Sequence, residues 1–270
     1  KLVMPGGVDA HVHLNLPMPG TVSSDDHYTG TMAAAFGGTT TVIDFANHDQ
    51  PSLIDSFKTW QAQALPNIAV DYGIHQNFTT FNQQTLTEIS QLPEMGVTSI
   101  KMFTAYNGRM RLKDDEIFQA MRIAKQEGII SLIHAENGDL IDLLVKEALE
   151  SGHTEPIWHA RTRPAWGAVE SVLRTSAISF SAGNAPLYIV HMNVKEEADQ
   201  LLYARNHGLP IFGETCPQYL FLDDSRLVSP EGHLFGCCPP IRNKEQQTKL
   251  WKILAKGGIS VVATDHCPFT

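Results

Sequence analysis

Regular alternation constrains this chain more than any other feature. Eight apolar, mostly β-branched runs (7–13, 39–45, 68–76, 97–103, 129–134, 186–191, 210–214 and 259–265) alternate with segments of helical periodicity (25–36, 51–65, 83–95, 114–127, 138–150, 164–183, 195–207 and 244–255). Strands alternating with helices build parallel sheets covered by those helices, and eight such units close into an α/β fold, the (β/α)8 TIM-type barrel. The punctuation agrees. Ser24 reads as the N-cap of the first helix, Gly37-Gly38 stops it, Pro51 opens the second, Pro93 bends the third and Gly128 closes the fourth. Pro17, Pro19 and Gly20 mark a loop after the first strand. The connection 215–243 is long for a compact domain, which points to an active-site loop. With 270 residues, 43% of them hydrophobic, the chain has the material for one barrel spanning residues 1–270 as a single catalytic domain. It opens at Lys1 just before a strand and stops at Thr270 just after another, without an eighth helix. The expectation is a piece of a longer protein.

The strand ends carry the chemistry. Gly7-Val8-Asp9-Ala10-His11-Val12-His13 closes on two histidines one residue apart, and the period of two in a strand puts both imidazoles on one face. Alone, that pair fits a polar strand face as well as a metal site. Three further runs end on His134, His191 and Asp265, and the strand from Val97 runs straight into Lys101. In a parallel barrel these ends share one rim around one cavity. Any one of them is ordinary as a rim hydrogen-bonder or helix cap; together they favour a metal centre. Four imidazoles and a carboxylate suit zinc or a similar divalent ion, and they are too many for one open tetrahedral site, so two ions are expected. For Lys101 two readings stand: an ion pair with Asp265 in a one-metal site, or a neutral amine that adds carbon dioxide and offers one carbamate oxygen to each of two ions.

Charge and composition exclude other classes. Net charge is -9 with no run of Lys and Arg, so nucleic acid and anionic membrane surfaces are repelled. No apolar stretch has the length of a membrane span, and the start lacks a signal-peptide pattern, which predicts a cytoplasmic protein. The four cysteines, Cys216, Cys237, Cys238 and Cys267, show no CxxC spacing and read as reduced thiols. The remaining histidines (His27, His48, His75, His153, His159, His207, His233 and His266) read as structural, with His75 and His266 nearest the rim.

Five motifs then carry a resemblance across the whole chain: Pro5-Gly6-Gly7-Val8-Asp9-Ala10-His11-Val12-His13, Ala35-Phe36-Gly37-Gly38-Thr39-Thr40, His134-Ala135-Glu136-Asn137-Gly138, Glu214-Thr215-Cys216-Pro217-Gln218-Tyr219 and Thr264-Asp265-His266-Cys267-Pro268-Phe269. Together they resemble the dihydropyrimidinase/D-hydantoinase group of the amidohydrolase superfamily, the cyclic amidases. The resemblance implies a barrel of the metal-dependent hydrolase kind, here truncated at both ends, lacking a β-sandwich built from both termini as well as the eighth helix. It implies two divalent ions, zinc with manganese as an alternative, bridged by a hydroxide and by Lys101 as N6-carboxylysine. One ion takes His11, His13 and Asp265; the other takes His134 and His191. Tyr106 is implied as donor to the tetrahedral oxyanion, and Asp265 as base and then acid in opening a cyclic amide or imide such as a 5,6-dihydropyrimidine or 5-substituted hydantoin to an N-carbamoyl amino acid. Met18 and Phe103, on loops beside the site, are candidates for the substrate wall. Members read Cys-Ser-Pro-Pro where this chain has Cys237-Cys238-Pro239-Pro240, so Cys238 takes the place of a substrate-binding serine. A homotetramer is also implied. The competing readings are a non-catalytic scaffold of the same fold and a related allantoinase or deaminase.

Overall fold

A computed structural model describes residues 2–18 and 20–269; Lys1, Pro19 and Thr270, which carry the chain ends and part of the first loop's Pro/Gly signal, lie outside the described residues. In chain order the strands are β1 (Gly7–Val12), a hairpin of β2 (Pro17–Met18) and β3 (Thr21–Val22), then β4 (Thr39–Ala46), β5 (Asp71–Asn77), β6 (Ser99–Phe103), β7 (Ile130–His134), β8 (Leu187–Ile189), β9 (Ile211–Thr215) and β10 (Val261–Val262). The hairpin apart, eight strands pair in the order β1-β4-β5-β6-β7-β8-β9-β10, each parallel to the next. A parallel bridge between Val12 and His266 brings the chain after β10 against β1 and nearly closes the ring. The (β/α)8 expectation is met.

Parity explains the contents of the two layers. In β6, all of it buried, Ile100 and Met102 join the large apolar cluster under the helices, while Lys101 points the opposite way, with its Nζ 4.7 Å from the Phe45 ring centre. Phe45, Leu132 and Val190 form a separate small cluster inside the ring. β7 repeats the pattern: Ile133 faces the helices, and Leu132 and His134 face inward on successive layers. Strands buried on both sides must be apolar on both, which is why they read as continuous runs.

Several boundaries differ from the sequence expectation. The first helix is His27–Phe36, capped by Asp26 in a reciprocal box with Thr29, because Ser24 is engaged elsewhere: its N–H and Oγ both donate to Pro268 O. The second helix begins at Leu53 with Ser52, not Pro51, as the start signal. The third is Gln83–Glu88 followed by 3-10 turns at Ile89–Gln91 and Pro93–Met95. The strands β8 and β10 are shorter than their apolar runs, since His191 (φ 38°) and Asp265 (φ 52°) turn the chain out of the sheet in the left-handed region. Lys101 is the third residue of β6 rather than its end. It pairs with Leu132, one layer below His134, so its long stem carries the amine toward the rim.

Candidate metal centre

The rim gathers the expected histidines into one contiguous group. His11, inside β1, and His13, just past its end, present Nε2 atoms 3.2 Å apart. Asp265 Oδ1 lies 3.1 Å from the first and 3.3 Å from the second, making these three residues a set able to hold a cation. Across the cavity, His134 Nδ1 and His191 Nε2 face each other at 2.9 Å. The His11 and His191 ring centres are 5.6 Å apart, so the two pairs adjoin.

Proton placement decides whether such pairs fit metals. His11 Nδ1 donates to Glu214 Oε1 at 2.7 Å, so that once the ring gives up its second proton its Nε2 lone pair is aimed at His13 and Asp265. His134 Nε2 donates to Glu136 Oε2 at 2.9 Å, which leaves Nδ1 aimed at His191. In the neutral rings His11 Nε2 and His134 Nδ1 are thus acceptors, the first facing His13 and Asp265 and the second facing His191, positions from which each could ligate a cation. His13 Nδ1 is buried without a partner. The donor set fits two divalent ions.

Glu214 and Glu136 are the residues that the strand-end reasoning missed. Glu214 also accepts from Tyr188 Oη at 2.8 Å and from the His191 N–H at 3.0 Å. Both acids carried a signal. Glu214 is next to the last residue of β9, and Glu136 follows His134 by two residues.

Electrostatics distinguish the two sides. Burial alone disfavours a charged His11, yet Glu214 and Asp265 outweigh it and raise its pKa to about 9. Asp265 is also desolvated, but His11 and His13 hold it well below the carboxylate range. Burial lowers His134 against the pull of Glu136, and burial with His134 beside it lowers His191 further. Lys101 is 2% exposed and desolvation brings its pKa down to about 8, so a nucleophilic neutral amine is accessible near neutral pH. No carboxylate pairs with it among the described residues. Asp265 and Glu214 instead pair with His11 and His13, although their charges are still felt at Lys101.

The other expected residues divide. Tyr106 sits beyond β6 with φ 67°, its ring 4.9 Å from that of His134, and its carbonyl accepts from the N–H groups of Arg109, Met110 and Arg111. This turn packs on the helix Gly138–Glu150 only because residue 138 is glycine: a Cβ there would lie 2.9 Å from Ala105 Cα. Cys238 lies beside the Tyr106 phenol and adds to the burial that holds its pKa well above the usual range. Phe103 is the last residue of β6, buried, and not a loop residue; its ring is 5.4 Å from Lys101 Nζ. Met18 lies in the hairpin, 42% exposed, and has no part in the hydrogen-bond or ring contacts of the cluster. His75 bonds Ser99 Oγ and Ala10 O, and His266 bonds Asp25, in keeping with structural roles.

A parallel barrel that collects imidazoles and carboxylates on one rim is a scaffold suited to metal-assisted hydrolysis. The model of the Amidohydrolase family matches residues 2–268. D-hydantoinase of Streptomyces coelicolor is 46% identical over 272 residues, covering 100% of this chain and 58% of its own length. The D-hydantoinase of Geobacillus stearothermophilus is 42% identical, with 99% of this chain and 57% of its own length covered. The crystal structure of dihydropyrimidinase from Brevibacillus agri superposes with a TM-score of 0.95 at 41% identity, over 98% of this chain and 58% of that one. The chain belongs to the amidohydrolase family and, within it, to the dihydropyrimidinase/hydantoinase group. It spans somewhat under three fifths of the length of these relatives.

Proposed function

We propose that the protein of which this barrel is the catalytic domain hydrolyses the ring amide of 5,6-dihydropyrimidines or 5-substituted hydantoins to N-carbamoyl amino acids. The observation that carries the reading is the pair of facing imidazoles on each side of one cavity, each with its outer nitrogen tied to a buried glutamate. Lys101 stands close enough for its charge to be felt by all four imidazoles. His11, His13 and Asp265 would hold one ion and His134 and His191 the other, and Lys101 would be available to both as a carbamate, formed when its neutral amine adds carbon dioxide and releases a proton. Zinc is the first choice and manganese the alternative. When bound, the ions supply a water of lowered pKa and polarise the ring carbonyl.

The chain's own groups do the rest. Asp265 accepts the proton of the attacking water as the carbon–oxygen bond forms, and returns it to the ring nitrogen as the carbon–nitrogen bond breaks. Tyr106 donates its phenolic O–H to the oxygen that gains charge. Burial keeps that phenol protonated far above neutral pH. The backbone at Cys238 holds the imide edge, while Phe103 and Met18 wall the exocyclic group. A cytoplasmic homotetramer completes the proposal; no helix among the described residues is long and apolar enough to cross a membrane. The test is turnover of dihydrouracil and of a 5-substituted hydantoin by the full-length protein with its metal content counted, before and after chelation. Ring-opened product that disappears on chelation and returns with metal is expected; no product from the metal-replete protein, or unchanged turnover without metal, sinks the proposal.

A further inference from the structure

Three carbonyls of the segment 237–240 are held by side chains from three other parts of the chain. Tyr219 Oη donates to Pro239 O at 2.7 Å, Asn193 Nδ2 to Pro240 O at 2.7 Å, and His159 Nε2 to Cys237 O at 2.8 Å. Tyr219 and Asn193 are core residues, 2% and 1% exposed. His159 is only partly buried and comes from the short helix Ile157–Arg161, in the excursion between the helices Gly138–Glu150 and Ala165–Ser181. The same nitrogen is 3.4 Å from Cys238 Sγ. Cys238 in turn meets the Tyr106 side chain. The excursion is itself braced against this segment: Arg242 Nη1 donates to Arg163 O at 2.5 Å, and Arg163 Nη1 to His159 O at 3.2 Å.

We propose that His159 is a positioning residue for substrate binding, its Nε2–H fixing Cys237 O and thereby the Cys238 step that Tyr106 leans on. The proposal rests on the cyclic-amide reading above. Burial, with Arg163 beside it, favours the neutral imidazole, which has a single N–H. Giving that proton to Cys237 O leaves the Cys238 sulfur free to accept from the Tyr106 phenol. Without it, the core side still grips Pro239 and Pro240, so the fold survives. The pocket end of the segment is released.

The experiment compares the full-length, metal-replete protein with its His159→Leu and His159→Gln variants; the glutamine amide can still donate. Loss of one neutral hydrogen bond is expected to raise KM for the cyclic amide about tenfold in His159→Leu, with kcat within about threefold and metal content unchanged, and His159→Gln recovers most of the loss. A second readout needs no turnover: alkylation of Cys238 by iodoacetamide, followed by peptide mass spectrometry, accelerates about tenfold in His159→Leu and not in His159→Gln. If His159→Leu fails to fold, His159→Asn, whose amide is too short to reach, replaces it. Unchanged KM and labelling in the leucine variant, equal damage in both variants, or a fall in metal content would each overturn the proposal. Should the wild-type protein open no cyclic amide, the functional reading fails, while the labelling comparison still decides the role of His159 in holding the segment.

Discussion

The β1–β10 side of the rim and the β7–β8 side use the same residue type under opposite fields. On the first, two histidines share Asp265 and back onto Glu214, and His11 is held as an imidazolium with a pKa of about 9. On the second, two histidines face each other with no carboxylate between them, and burial keeps both neutral. A cation arriving at the first side must displace a proton, whereas one arriving at the second finds its lone pairs ready. Two sites of similar ligand count therefore differ in what occupies them before metal does.

Lys101 offers the strongest way to break that contrast, because in the proposed function its carbamate would serve both sides. In the full-length protein Lys101→Ala is expected to lower kcat by roughly a thousandfold or more and to lose bridged metal, with partial rescue by short carboxylic acids. Wild-type metal content and turnover would mean that the sides function without it. Next in size are the two glutamates. Glu136→Gln should weaken the ion of the second side roughly 10- to 100-fold, leaving the first nearly untouched. Glu214→Gln should weaken the first side by a similar factor and the second by less, because Glu214 also accepts from the His191 N–H. Titrating each variant with metal and resolving the two binding steps checks this; equal loss of both ions in either variant collapses the distinction.

The smallest effect concerns stability. Glu197 lies behind the second side, accepting from the N–H groups of Asn193 and Val194, and burial outweighs these bonds to push its pKa up to about 7. Glu214, behind the first side, is moved the other way by His11 despite its own burial. A carboxyl that holds its proton more tightly when folded supports the native state fully below its ordinary range and loses that support as pH rises to about 7. Urea midpoints at pH 5 and pH 7.5 should therefore show a loss on the order of 2–3 kcal/mol attributable to this group, and Glu197→Gln should flatten the difference. A wild-type slope retained in the variant assigns the pH dependence elsewhere.

Much of this was legible because parallel strands are buried on both faces, so β6 and β7 read as unbroken apolar runs and the ligands read as polar endings. Lys101, although inside its strand, announced itself as the one charged residue in Ser99-Ile100-Lys101-Met102-Phe103. The short lengths of β8 and β10 were not legible. They end where His191 and Asp265 take left-handed backbone, and neither residue type marks that turn as glycine would. Glu136 and Glu214 stayed hidden for a different reason: a carboxylate after a strand serves equally as a helix cap, and only its partner settles which. His159 gave no signal at all, since its partner is a carbonyl 78 residues away.

The near-closure of the barrel carries one more consequence. β1 meets the chain after β10 through Asp265 N–H to His11 O, His13 N–H to His266 O, and the Thr264 bonds to Asp9. Three of these atoms, Asp265 N, His11 O and His13 N, belong to the backbone of the first-side residues themselves. Shutting the ring and assembling that half of the centre are thus coupled, and any cation that binds only the assembled half works as a latch on the ring, adding to its stability with the logarithm of free metal over its dissociation constant. Under the proposed function the metal would thus also be part of the scaffold, and metal depletion is expected to loosen the molecule along this seam.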